Sequence, residues 1–152
     1  MSKTITFVLA TIIAWSIVSD GDALSMDLNQ YKWKNRLLLI FAPDDGHSLL
    51  RNLESDIAVQ PGEVSERDLL VFRIIENGPS FMAATRLDPQ TAANIRKKFK
   101  ASHERFTCIL VGKDGGIKLR RNDQVRLQDI FELIDAMPMR QQEMRQKNSG
   151  KY

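Results

Sequence analysis

Cysteine is nearly absent from this chain: Cys108 is the single one in 152 residues. One thiol rules out an internal disulfide, leaving at most a bridge between molecules, so the core alone must hold the fold. It also rules out a CxxC pair. Histidine is confined to His47 and His103. After residue 25 no apolar run approaches the ~20 residues that a membrane-spanning helix needs. Internal repeats and low-complexity segments are missing too, and the length suits one domain. The basic residues have no aromatics interleaved with them, which argues against stacking on nucleic acid.

The one long apolar stretch is at the start. Thr4 to Ser19 (TITFVLATIIAWSIVS) carries no charge and follows Met1-Ser2-Lys3. With the small residues Ala23 and Ser25 behind it, the order basic, apolar, small predicts a signal peptide over residues 1–25, cleaved before Met26, and a periplasmic or secreted product. A permanent anchor is the alternative, disfavoured by the shortness of the run. Without Lys3, Asp20 and Asp22 the chain keeps 21 basic and 17 acidic side chains, a balance of +4. The distribution is uneven. Residues 26–88 hold 7 basic and 10 acidic side chains and residues 89–152 hold 14 and 7, so the second half is strongly cationic.

Leu28, Tyr31 and Trp33 form an amphipathic lead-in, and Leu37–Ala42 is a run without a polar residue, suited to a central strand buried on both faces. Leu49, Leu50, Leu53 and Ile57 recur at helical spacing, and Gln60-Pro61-Gly62 is expected to end that helix. Asp68–Glu76 (DLLVFRIIE) reads as a second buried strand, completing a right-handed β-α-β unit. Residues 77–87 read as a loop. Asp88-Pro89 starts a second helix, with Ala92, Ile95 and Phe99 on its apolar stripe. Phe106–Val111 and Ile117–Arg121 form a β-β hairpin across Lys113-Asp114-Gly115-Gly116, a turn rather than a phosphate cradle because a strand follows it. Leu127, Ile130, Phe131 and Ile134 form a C-terminal helix that Pro138 interrupts. The polar residues from Arg140 are expected to fray, with 147–152 a flexible tail. This order predicts an α/β, thioredoxin-like architecture with a mixed sheet.

The strings KNRLLLIFAP, RDLLVFRI, FTCILVGKDGGIKLR and LQDIFELIDAMPMRQQEM together resemble the P-DUDES domains over residues 30–146. These are domains of unknown function in bacteria and in animal extracellular proteins with sushi repeats or matrix association. The resemblance implies a thioredoxin- or peroxiredoxin-like fold that generally lacks the redox cysteines. Laid on the thioredoxin pattern, FAPDDGHSLL puts Asp45 and Ser48 where the two cysteines stand. Phe106 or a neighbour falls where thioredoxins keep a cis-proline. Thiol-disulfide exchange has no sulfur to run on there.

Several groups remain as candidates. Asp44 and Asp45 read first as caps on the helix after the corner. The alternatives are a divalent metal held with His47, for which no fourth ligand is apparent, or acid-base work by Asp45, His47 and Ser48. Cys108, inside a strand, reads as a buried hydrophobe rather than a peroxidatic thiol. Arg96, Lys97, Lys98, Lys100, Lys118, Arg120 and Arg121, with Arg105, read as a solvated face or, if they share one side, a ligand-binding patch for anionic glycan or lipid headgroups. Met137, Met139 and Met144 either bind a partner or cover the sheet. The expectation is an exported, non-redox binding module without a cofactor, its partner a protein, glycan or lipid headgroup of the cell envelope. A peroxiredoxin-like or rebuilt enzyme is the alternative.

Overall fold

The computed structural model describes residues 26–150, and the segment read as a signal peptide lies outside them. A short 3-10 turn, Leu28–Tyr31, leads into strand β1, Arg36–Ala42, and every residue of that strand is buried. Alternation along the strand sends Leu38, Ile40 and Ala42 to one face and Leu37, Leu39 and Phe41 to the other. Leucine runs also favour helix. Here the flanking strands decide, because both neighbouring positions in the sheet are occupied.

Helix α1, Ser48–Val59, buries Leu50 and Leu53 against the first face. Strand β2, Leu69–Ile75, returns beside β1 in parallel register, Arg36 opposite Leu69 and Ala42 opposite Ile75. Helix α3, Pro89–Lys98, covers the other face with Ala92 and Ile95, and Asp88 Oδ1 accepts from the Thr91 amide at 2.9 Å as its cap. Strands β5, Thr107–Val111, and β6, Ile117–Arg121, form the antiparallel hairpin. Its turn places Gly115 at φ +82°, which suits a residue without a Cβ. Helix α4, Leu127–Asp135, packs beside α1 through Leu127, Ile130, Phe131 and Ile134. With two short strands, β3 at Phe81–Met82 and β4 at Thr85–Arg86, the sheet order is β4-β3-β2-β1-β5-β6, with β1 antiparallel to β5. Its core is the thioredoxin-like arrangement that the element order predicts.

Three segments depart from the sequence reading. Pro61 does not lead into a loop but opens helix α2, Pro61–Glu66, where a first-turn proline needs no amide. Residues 77–87 contain a small hairpin, β3 at Phe81–Met82 and β4 at Thr85–Arg86, which widens the sheet beyond β2. Pro138 does not stop the chain's regular structure either. It starts helix α5, Pro138–Ser149, so the polar stretch from Arg140 is helical, including the first residues of the segment read as a flexible tail.

Helix α5 is held by charge more than by apolar contact. Arg36, fully buried, donates from Nη1 and Nη2 to the Glu143 carboxylate at 3.2 Å each and from Nη1 to the Arg67 carbonyl at 2.9 Å. Lys113 joins Glu143 at 2.8 Å and Asp68 at 2.7 Å. Arg140, 4% exposed, pairs with Asp135 at 3.1 Å and Glu66 at 3.3 Å, and Arg67 pairs with Asp135 at 2.6 Å while lying over the Phe131 ring. Burial alone would raise the Glu143 carboxyl, but hydrogen bonds from Lys113 and Arg36 hold it below its ordinary value.

Glu143→Gln leaves the buried Arg36 without a counter-charge and Lys113 with Asp68 alone, which should cost about 2–4 kcal/mol in urea unfolding at neutral pH. A carboxyl whose folded pKa is depressed stabilises above its unfolded pKa and stops doing so as pH falls through the folded one. The gap between wild type and variant is therefore expected to close in acid, below the ordinary glutamate value of 4.5. A gap that is the same at neutral and acidic pH would rule the charge out as its cause.

Candidate functional site

Between β1 and α1 the chain turns through Pro43-Asp44-Asp45-Gly46-His47. The corner is tied to the end of β2. Asn77 donates to the Pro43 carbonyl from its amide at 2.9 Å and from Nδ2 at 3.1 Å. Ala42 accepts from the Glu76 amide at 3.0 Å and from Arg96 Nη2 at 3.3 Å.

Neither aspartate caps α1, contrary to the sequence reading. Asp44 Oδ1 accepts from the Gly46 amide at 2.8 Å, closing its own turn before the helix begins. His47 occupies the cap position and its side chain makes no capping bond. Asp45 faces Arg73, at 3.8 Å, whose Nη1 also pairs with Glu54 at 3.0 Å while the guanidinium lies over Phe81. The His47 ring stacks on Phe106, centroids 5.8 Å apart and planes 16° from parallel, with Nδ1 buried and unpartnered. The side chains of Asp44, Asp45 and His47 thus go to different neighbours. Among the described residues no group of three His, Cys, Asp or Glu side chains could hold a metal ion. Ser48 is exposed at the start of α1. His103 stands apart, its Nδ1 at 2.8 Å from Glu76.

Phe106, which with its neighbours falls where the thioredoxin pattern keeps a cis-proline, lies against the corner through its contact with His47. Where that pattern sets proline against sulfur, this chain sets phenyl against imidazole. Cys108 is fully buried in β5 opposite Ile40, and burial pushes its thiol up to about 12. It is part of the core, as its strand position predicts.

The basic residues do not form one patch. Arg96 is 2% exposed and spends its guanidinium inside the fold, donating to the Ile74 carbonyl at 3.0 Å and the Ser102 carbonyl at 2.6 Å and pairing with Glu76 at 3.0 Å. Arg96 is therefore withdrawn from the ligand-binding set. Its place beside Ile95 turns it under the helix rather than out. Arg120 donates to the Phe99 carbonyl at 2.6 Å, Lys118 pairs with Asp114 at 2.7 Å and Arg121 with Asp123 at 2.8 Å. Lys97, Lys98 and Lys100 remain exposed near the end of α3.

Sequence reasoning missed Arg73, which ties the corner to β2, and the cationic cluster of Arg36, Arg67, Lys113 and Arg140. It also missed a hollow of about 800 Å³ between α1, α2 and the β2-β3 edge, lined by Ile57, Val64, Val71 and Phe81 together with Glu54 and Arg73. That hollow depends on α2, where the sequence reading had only a helix end, and on β3, inside a segment read as loop. Met137 packs on the core beside α4.

Residues 27–143 match the family described as domain of unknown function (DUF4174). Coiled-coil domain-containing protein 80 of Danio rerio is 26% identical over 133 residues, covering 77% of this chain and 15% of that protein. The chain thus spans about a seventh of that relative's length. Among solved structures, the reduced 2-Cys peroxiredoxin of Plasmodium vivax superposes with a TM-score of 0.57 at 15% identity, covering 77% of this chain and 85% of that one. Thioredoxin peroxidase I of Plasmodium yoelii gives 0.56 at 14%, covering 76% and 79%. These likenesses establish a thioredoxin-like fold.

The geometry makes Cys108 inert. A thiol reagent such as dithionitrobenzoate should find no reactive group in the native chain at neutral pH and one equivalent after unfolding in guanidinium. Stoichiometric reaction of the folded protein within minutes would show that the thiol opens to solvent.

Proposed function

The chain belongs to the family described as domain of unknown function (DUF4174), and from that premise we propose that it is an exported, non-redox thioredoxin-like module that binds a partner in the cell envelope. One observation carries the reading: the corner has Asp45 and Ser48 in place of sulfur, and the only thiol is locked in the core with its pKa pushed up to about 12. A nucleophilic or redox sulfur needs thiolate character and access, and Cys108 has neither. Export is supported by the uncharged run Thr4–Ser19 and the small residues Ala23 and Ser25 behind it. The partner is read as a protein or an anionic glycan or lipid headgroup, and the resemblance to the P-DUDES domains is consistent with extracellular binding work.

A second reading, an acid-base site rebuilt on Asp45, His47 and Ser48, has one observation in its favour: the buried Nδ1 of His47 has no partner. The diverging side chains of Asp44, Asp45 and His47 weigh against it. No residue among them is placed to activate another.

The purified chain is expected to leave insulin unreduced in dithiothreitol beyond the uncatalysed rate and to consume hydroperoxide no faster than buffer does. Appreciable activity in either assay overturns the non-redox reading. Export is read separately, by mass spectrometry of the protein made in a Gram-negative host: a periplasmic product beginning at Met26 supports it, and an unprocessed chain retained in the cytoplasm or the membrane fraction refutes it.

A further inference from the structure

Trp33 and Ile117 are 67% and 50% exposed, and with Val59 they are the large hydrophobic residues left in water among the described residues. A lone exposed apolar side chain is ordinary. The turn that carries Trp33 lies against the hairpin that carries Ile117. The Trp33 amide donates to the Lys113 carbonyl at 2.7 Å, which pins its turn to the hairpin that passes through Gly115 and comes back along Ile117. Trp33 sits at φ 64°, a left-handed conformation that a bulky residue adopts only where its surroundings impose it. The fold therefore holds an indole out in solvent at a strained position.

Cations surround this end. Lys32 and Lys34 flank Trp33 in the chain. The Lys32 side chain lies across Gly115, and Lys32, Lys98, Gly115 and Ile117 line one hollow of about 190 Å³. Arg120 joins β6 to the end of α3 beside Lys98. Of the carboxylates close to this end in the chain, Asp114 pairs with Lys118 at 2.7 Å, and Asp27 accepts from the Asn29 amide at 2.9 Å and lines a second hollow with Lys98 without an ion pair to it. Among the described residues the lysines in ion pairs are Lys113, Lys118 and Lys147. Lys32, Lys34 and Lys98 keep their charge uncompensated.

We propose that this end of the molecule docks on an anionic lipid surface, Trp33 and Ile117 entering the headgroup layer while Lys32, Lys34 and Lys98 face lipid phosphate. The inference rests on the reading of the chain as a binding module and names its partner. Lipid fits better than a sulfated glycan, because a sugar face that stacks on the indole offers no apolar layer for Ile117. Tryptophan is favoured at a bilayer interface, where its ring meets apolar surface and its N-H meets water. Basic side chains add to this in proportion to their number near the surface.

The test uses the full chain with Trp15→Phe, so that Trp33 is the only tryptophan, and vesicles of phosphatidylcholine alone or enriched in phosphatidylglycerol. Trp33 emission should shift to the blue and be quenched by brominated acyl chains on the phosphatidylglycerol vesicles, and raised salt should reverse both. Lys32→Gln and Lys98→Gln should each weaken the interaction about fivefold, and Ile117→Ser should weaken it without changing its salt dependence. Attachment through the apolar N-terminal run alone would leave Trp33 emission unmoved on both vesicles, or move it equally on both, and either result overturns the proposal once circular dichroism shows a folded chain. Retention on heparin with Trp33 silent on vesicles sinks the lipid assignment but keeps the binding module. A folded chain that binds neither also overturns the lipid assignment and leaves a protein as the partner of the binding module.

Discussion

A strand sealed on both faces governs this molecule. All seven residues of β1 are buried, so its backbone and its two ends must be satisfied from within. The middle is satisfied by β2 and β5. The ends draw on residues far away in the chain. At the start, the buried Arg36 is neutralised by Glu143 from α5, and at the finish the Ala42 carbonyl accepts from Arg96 of α3. Each of these arginines is itself surrounded by protein, so a missing partner would leave a charge stranded in a medium that solvates it poorly.

That arrangement explains why the charged residues carry so little obvious chemistry. Arg96 supports carbonyls at the ends of β1 and β2. Arg67 and Arg140 fasten α2, α4 and α5 together through Asp135 and Glu66. The β1-α1 corner follows the same logic on a smaller scale. Asp44 closes its own turn, Asp45 faces Arg73, His47 stacks on the Phe106 ring, and Cys108 lies buried in the core.

Once the structural cations are set aside, the uncompensated charge gathers at the opposite end of β1, by the Asp114-Gly115 turn and the exposed Trp33. The cationic charge, drawn from both halves of the sequence, is thus divided between two places. Part of it is internal and neutralised, and part of it stands in solvent beside apolar side chains, where it has something to attract.

Short-range patterns in the amino-acid order were enough to place β1, β2, β5 and β6, to start α3 at Asp88-Pro89, to turn the hairpin at Gly115 and to bury Cys108, since each depends on a residue's neighbours within a turn or two. The corner was found on the same grounds, and so was its lack of sulfur. What side chains did there was not legible: Asp44 and Asp45 looked like caps because their type is right, but whether a carboxylate reaches a helix amide or its own turn is settled by backbone path. The same holds for Arg96, exposed by pattern and buried in fact, and for β3, β4 and α5. None of those segments has an apolar period of its own. Their shape is imposed from outside the segment, β3 by its pairing with β2 through Arg73 and Phe81 and α5 by Arg36 beneath Glu143, and such contacts exist only once the tertiary structure has formed.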